Sequence, residues 1–241
     1  MDFSKRSYRK ELLDNDNIPF EDIKRNMQEL ETVNKYLGGH RITIKGVKSL
    51  LSQSTNFSPG KNQNTQFTIC EIGCGGGDNL KAIQRWCSSK QFTPRFIGID
   101  INKECIAYAK ENCRALDVQW ITSDYRSVSL THKPDIIFSS LFCHHFTDEE
   151  LVKQFEWMKE NSQLGFFIND LHRHPFAFYS IKWLTNFFSK SYMVKNDAPL
   201  SVLRGFQRKE LELINKKCAT GNIQLSWHWA FRWLLVVKNE K

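Results

Sequence analysis

Beyond residue 66 the chain alternates short apolar runs with longer stretches whose apolar residues recur every three or four positions. The runs 67–72, 95–99, 118–122, 135–139 and 165–169 have the length and the branched or aromatic content of strands buried on both faces. Between them, helices are predicted over 79–88 and 103–115, after the capping box Thr147-Asp148-Glu149-Glu150, and over the unusually aromatic stretch 175–188. Such alternation is what a parallel sheet with crossover helices requires. Residues 190–204 read as an irregular excursion, 208–217 as a charged helix, and 223–229 with 231–237 as a closing antiparallel pair. The count is seven strands, and no internal repeat is present.

The residues ahead of the first strand follow a different pattern. Pro19, Glu21 and Asp22 open a helix with apolar positions Ile23, Met27, Leu30, Val33 and Leu37, and Gly38-Gly39 ends it. A second helix is expected over 43–52, then a polar linker over 54–66 that contains Pro59 and Gly60. The expected division is a helical lid and linker over 1–65, followed by one α/β domain over 66–241.

Composition narrows this only a little. A chain of 241 residues suits one well-buried domain with a small appendage. The net charge of +8 is spread through charged helices, so it reads as a solvated surface and does not imply nucleic acid. Seven cysteines, at spacings that fit neither a zinc site nor a disulfide framework, and several of them in apolar elements (Cys70, Cys143), point to reduced thiols in a cytoplasmic protein. No stretch has the apolar core of a signal peptide or the length of a membrane span, so a soluble protein is expected.

The chemistry centres on Glu71-Ile72-Gly73-Cys74-Gly75-Gly76-Gly77-Asp78, where the first strand breaks at glycines and restarts as a helix. Such a turn lets backbone approach a ligand. Asp78 stands where a dinucleotide fingerprint has its last glycine, and a carboxylate at a helix N-terminus competes with a pyrophosphate for the positive end. A cationic ligand is favoured instead. Asp100, about twenty residues on at the end of the second strand, is placed to accept both hydroxyls of a ribose; its alternative role is to cap the next helix, which Asn102 can also do.

With Glu71, Gly73, Gly75 and Gly77 in place, the chain resembles the class I S-adenosylmethionine-dependent methyltransferases, whose first motif is acid-x-Gly-x-Gly-x-Gly. The resemblance runs from about residue 65 to the C-terminus. It implies a doubly wound, Rossmann-like α/β sheet of seven strands, the last antiparallel, with the N-terminal helical appendage over the cofactor mouth. It further implies S-adenosylmethionine as cofactor, with Cys74 and Leu141 lining its site, Ile101 packing on the adenine, Asp124 taking the adenine amino group and Tyr125 lining the base. Asp124 also fits a simple turn.

Leu141-Phe142-Cys143-His144-His145-Phe146 follows the fourth strand, where nucleobase- and amide-methylating enzymes carry Asn/Asp-Pro-Pro-aromatic. This chain instead looks like the small-molecule branch, of the quinone-methylating, methyltransferase-11/25 type. Both histidines lie at the carboxyl end of the sheet, where ligands bind. An extended segment turns neighbouring side chains to opposite sides, so His145 is expected to act as base towards a phenol or enol, with His144 as substitute; both can also be structural. Asp170 and His172 leave the fifth strand at the same rim and are further candidates for an acceptor hydroxyl. His40 near the cofactor mouth, Tyr179 on the aromatic helix and Arg204 on the excursion complete the substrate candidates, although Arg204 is expected to pair with Asp197. The surplus of aromatics from Phe176 to Phe188 can wall a pocket, meet a membrane surface or join a homodimer.

The expected activity is methyl transfer to an oxygen or carbon of a small, aromatic or quinone- or polyketide-like acceptor, without a metal. The chain could act as a monomer or a homodimer. Methylation of RNA, or a non-catalytic cofactor-binding subunit of a larger complex, are the alternatives.

Overall fold

Seven strands form one sheet in the order β3-β2-β1-β4-β5-β7-β6 in the computed structural model, which describes residues 1–15, 18–52, 66–218 and 223–239. They are β1 (Gln66–Ile72), β2 (Thr93–Asp100), β3 (Val118–Thr122), β4 (Ile136–Ser140), β5 (Gly165–Leu171), β6 (Ile223–His228) and β7 (Arg232–Lys238). β1 to β5 pair in parallel, and β7 runs antiparallel to both its neighbours. The helices are α1 (Phe20–Tyr36), α2 (Gly39–Leu51), α3 (Asp78–Ser88), α4 (Lys103–Asn112), α5 (Asp148–Asn161), α6 (Pro175–Phe188), α7 (Tyr192–Arg204) and α8 (Arg208–Cys218).

Strand residues alternate between two cores. Ile69, Phe138, Phe167 and Leu234 face α2 and α3, where Val47, Leu50, Leu80 and Ile83 are buried. Ile72, Ile137, Phe166, Ile168 and Leu235 face α5 and α8, which supply Leu151, Phe155, Leu211 and Ile214. Each such side chain contributes about 1.5–3 kcal/mol by leaving water. Because both faces are covered, the strands read as continuous apolar runs.

Four elements depart from expectation. Gly38 alone, at φ 81°, stops α1, and the chain re-enters helix at once, so α2 begins at Gly39. α2 also lies in the core, packed so closely that a Cβ on Gly46 would come 2.5 Å from the Phe167 ring. Of the expected lid, then, α1 and the arm over residues 1–15 lie by the cleft, while α2 is a layer of the domain. The stretch read as an excursion is α7, which contains Pro199. Burial of Met193, Val194, Leu200, Val202 and Leu203 outweighs one lost backbone bond, and Ser191 caps the helix through Val194 N–H. β5 runs two residues further than expected, which makes Asp170 a fully buried strand residue. The linker expected over 54–66 lies outside the described residues except Gln66, which opens β1.

Candidate active site

The turn from β1 into α3 is shaped by Gly73 at φ 65° and Gly75 at φ 48°, a region costly for other residues. A side chain at Gly73 would also strike Phe142, whose ring would lie 2.2 Å from the new Cβ. Gly75 N–H donates to Asp100 Oδ2 at 2.9 Å, and Asn102 N–H to Asp100 Oδ1 at 2.9 Å. Asn102 caps α4, accepting from Glu104 and Cys105, which leaves Asp100 free of that duty. Burial raises the Asp100 pKa above the ordinary carboxylate value.

These residues line a cavity of about 530 Å³ together with Glu71, Cys74, Ile101, Asp124, Tyr125 and Leu141. Every residue expected at the cofactor is therefore on its wall or, for Gly77, in the turn that forms it. Asp124 serves the turn as well: its carboxylate accepts from the backbone N–H and guanidinium of Arg126. Glu71 accepts from Asn79 Nδ2 at 2.9 Å through one oxygen, while Oε2 is buried without a partner among the described residues. Burial, with the charges of Asp78 and Asp100, pushes its pKa well up. Asp78 itself is occupied, accepting from His40 Nε2 at 2.7 Å and Asn34 Nδ2 at 2.9 Å. His40 lines neither cavity described here and acts through Asp78.

A second cavity, of about 340 Å³, adjoins the first; Leu13, Leu30, Leu141 and His145 line both. Its walls are largely apolar, with Val33, Leu37, Ile181, Leu184 and Phe231 among them. His144 and His145 sit on a 3-10 turn, Cys143–His145, so the alternation of an extended segment does not apply. Their rings lie on the same side, centroids 4.4 Å apart and tilted by 34°. His145 Nδ1 donates to Asp14 at 2.9 Å. His144 is buried, its Nδ1 2.7 Å from Asp170 and its Nε2 3.5 Å from Glu11. Burial alone would lower the His144 pKa, but the charge and hydrogen bond of Asp170, with Glu11 beyond, raise it to about 9. At neutral pH His144 is an imidazolium.

Four expectations are corrected here. His172 lines neither cavity; its Nδ1 accepts from Trp227 Nε1 at 3.1 Å, and burial, with neighbouring His174 and Arg173, lowers its pKa to about 4. Tyr179 points outward, 59% exposed, against Phe3 and Phe178. Arg204 does not pair with Asp197. It bonds Asp14 Oδ2 at 2.9 Å and the carbonyls of Arg9, His144 and His145, while Asp197 accepts the N–H groups of Leu12 and Leu13. Arg204 and Asp170 thus hold the histidine turn from behind and touch neither cavity.

The N-terminal arm was the residue set that sequence reasoning missed. Arg6 reaches Asp148 at 2.7 Å and the carbonyls of His144, Phe146 and Arg204; Glu11 and Asp14 face the two histidines. These contacts join residues more than 130 positions apart, and nothing in the local pattern signals them. Glu11, His144 and His145 bring one potential metal-ligand atom each within 4.8 Å. With the two rings side by side and Arg204 3.8 Å from Glu11, the set is already balanced as an ion-pair network.

Comparison with known proteins agrees with this geometry. Residues 69–165 match the family model described as a methyltransferase domain. No curated protein sequence matches the chain. Among solved structures, the plantazolicin methyltransferase BpumL with bound SAH is similar at TM-score 0.66 and 15% identity, over 90% of each chain. Magnesium protoporphyrin IX methyltransferase from Synechocystis PCC 6803, with bound SAH, gives 0.55 and 13%, over 86% of this chain and 87% of that one. Human N-acetylserotonin methyltransferase, with bound SAM, gives 0.59 and 16%, over 92% and 57%. At these identities the likeness is one of fold. The chain carries a methyltransferase domain, over residues 69–165, within a class I methyltransferase fold.

Proposed function

We propose that the protein transfers the sulfonium methyl of S-adenosylmethionine to an oxygen, or a carbon, of a small apolar acceptor of aromatic, quinone or polyketide type. The observation that carries this is the pair of abutting cavities, one walled by the glycine turn and its acids, the other apolar, with His145 and Leu141 on the wall of both. When bound, the donor supplies an electrophilic methyl already activated by positive charge. The residues present fit it: Glu71 Oε2 is a buried oxygen lacking a partner, suited to an ammonium, and Asp100 is held by two backbone N–H groups with lone pairs left for ribose hydroxyls. Ile101 and Tyr125 offer apolar surface for the adenine.

His145 is the base in this reading. With Nδ1–H given to Asp14, its Nε2 is the nitrogen able to take a proton from the acceptor oxygen as the methyl arrives. Asp14 keeps the ring in that tautomer, and Arg204 fixes the turn through the His144 and His145 carbonyls. The protein's remaining task is alignment and exclusion of water. Phe176, Tyr179, Trp183 and Phe187 form an exposed stripe along α6 beside the apolar cavity, which supports a peripheral membrane contact, checked by sedimentation with lipid vesicles.

The test is incubation with isotopically labelled S-adenosylmethionine and a panel of phenols, quinones and bulk RNA. Label is expected in a small apolar acceptor, and His145→Ala is expected to cut turnover roughly 10²-fold or more with cofactor affinity unchanged. Label found only in RNA would overturn the reading.

A further inference from the structure

Glu11 and Asp197 on the wall of the apolar cavity have partners, whereas the guanidinium of Arg232 on the same wall is incompletely partnered among the described residues. Arg232 opens β7 on the cavity wall and is 2% exposed. Its Nη2 donates to Asn34 Oδ1 at 2.9 Å, but Nη1 is buried with no hydrogen-bond partner among the described residues. Among the described residues no carboxylate stands within ion-pair distance of it. The two acids whose charge it feels, Asp170 and Asp78, are already occupied by His144 and by the His40–Asn34 pair. Burial accordingly lowers the Arg232 pKa to about 10, the opposite of what a paired guanidinium shows.

A buried cation is ordinarily paired or fully hydrogen-bonded, since an uncompensated N–H in an apolar wall is costly. The other buried arginines of this protein obey that rule: Arg6 meets Asp148, Arg173 meets Glu210 and Arg204 meets Asp14. Arg232 departs from it, and does so at the cavity rather than in the packed core. The cost is recovered when a ligand supplies the missing acceptor.

We infer that Arg232 is the anion-recognition group of the apolar cavity, and that the acceptor carries a carboxylate which pairs with its Nη1. A planar guanidinium with one donor already committed to Asn34 presents its remaining N–H groups in a fixed direction, the geometry that suits a carboxylate. The acceptor class becomes an apolar body bearing an acid group. This rests on the reading of the second cavity as the acceptor site. The donor's own amino-acid carboxylate is the other source of the same chemistry; Arg232 lines the apolar cavity and not the glycine-turn cavity, which favours the acceptor.

The experiment uses the full chain saturated with S-adenosylhomocysteine, and aryl and alkyl carboxylates each paired with its methyl ester. Binding is followed by quenching of tryptophan fluorescence, since Trp229 lines the same cavity. Carboxylates are expected to bind roughly tenfold or more tighter than their esters. Arg232→Met is expected to bring that ratio to about one, and Arg232→Lys to restore part of it. The fold of each variant is checked by circular dichroism and by its affinity for S-adenosylhomocysteine, which should stay within about threefold of wild type. Equal binding of acids and esters, or binding of neither, overturns the inference and leaves donor binding as an independent readout of the functional reading. So does a loss of affinity for S-adenosylmethionine that its decarboxylated analogue escapes, because Arg232 would then read the donor.

Discussion

Raising the pH from 6.5 to 9.5 removes a proton from the centre of the site, and the stability lost in doing so can be worked from the structure. His144 is enclosed by Asp170 and Glu11, with a folded pKa of about 9 against an ordinary value of 6.5. A group whose folded pKa is raised contributes its full stability below the unfolded pKa and loses it as pH climbs through the folded one. Below pH 6.5 both states hold the proton. Between 6.5 and 9 the unfolded chain has released it while the folded chain keeps it, so stability falls by about 1.4 kcal/mol per pH unit, or about 3 kcal/mol in all. With a urea dependence of roughly 2–3 kcal/mol per molar, the unfolding midpoint moves down by about 1 M. Burial raises the Glu71 pKa as well, so the comparison is made with Asp170→Asn, which leaves Glu71 in place. That variant is less stable at pH 6.5, and its midpoint should move by about half as much or less over the same range, because the carboxylate that holds the proton is gone. Urea curves read by tryptophan fluorescence at four pH values decide it. Equal slopes for the two proteins, or a wild-type midpoint that does not fall, would refute the assignment of His144 as a buried imidazolium.

Two further substitutions probe the frame and the wall of the glycine-turn cavity. Gly46→Ala drives a methyl into the Phe167 ring at the junction of α2 with the sheet, and thermal unfolding should show a loss of about 1–3 kcal/mol; an unchanged midpoint would mean that α2 is not a core layer. Asp100→Ala removes the acid that two backbone N–H groups hold at the cavity wall, and calorimetry with S-adenosylhomocysteine should show affinity weakened by about 1–3 kcal/mol, with undiminished affinity counting against a ribose contact.

The sheet and the glycine turn were legible because their signals are local. Strands covered on both faces, such as β4 and β5, leave unbroken apolar runs, and the Glu71–Asp78 turn announces itself by glycine spacing alone. Asp100 was legible for the same reason, since its distance from the turn follows from one strand-helix-strand unit. Elements that depend on distant partners were not. α7 forms around Pro199 because its apolar residues are buried against other elements, and no window of sequence reports that. The sequence offers Arg204 a partner in Asp197, seven residues away, whereas its partner is Asp14 across the fold. The pairing of Asp14 and Glu11 with the histidines escaped for the same reason. The two rings lie on one side because residues 143–145 close a 3-10 turn, a conformation that the apolar pattern around them does not distinguish from an extended exit. Arg232 was silent in sequence as one more charge at a strand end. Its meaning comes from what it lacks.

The cofactor assignment is tested most directly by isothermal titration of S-adenosylmethionine, S-adenosylhomocysteine and NAD into the purified full chain. The glycine turn and its acids predict saturable one-to-one binding of the two sulfur nucleosides in the micromolar range or tighter, about −8 kcal/mol, and no heat from NAD. Binding of NAD with neither sulfur nucleoside taken up would contradict it.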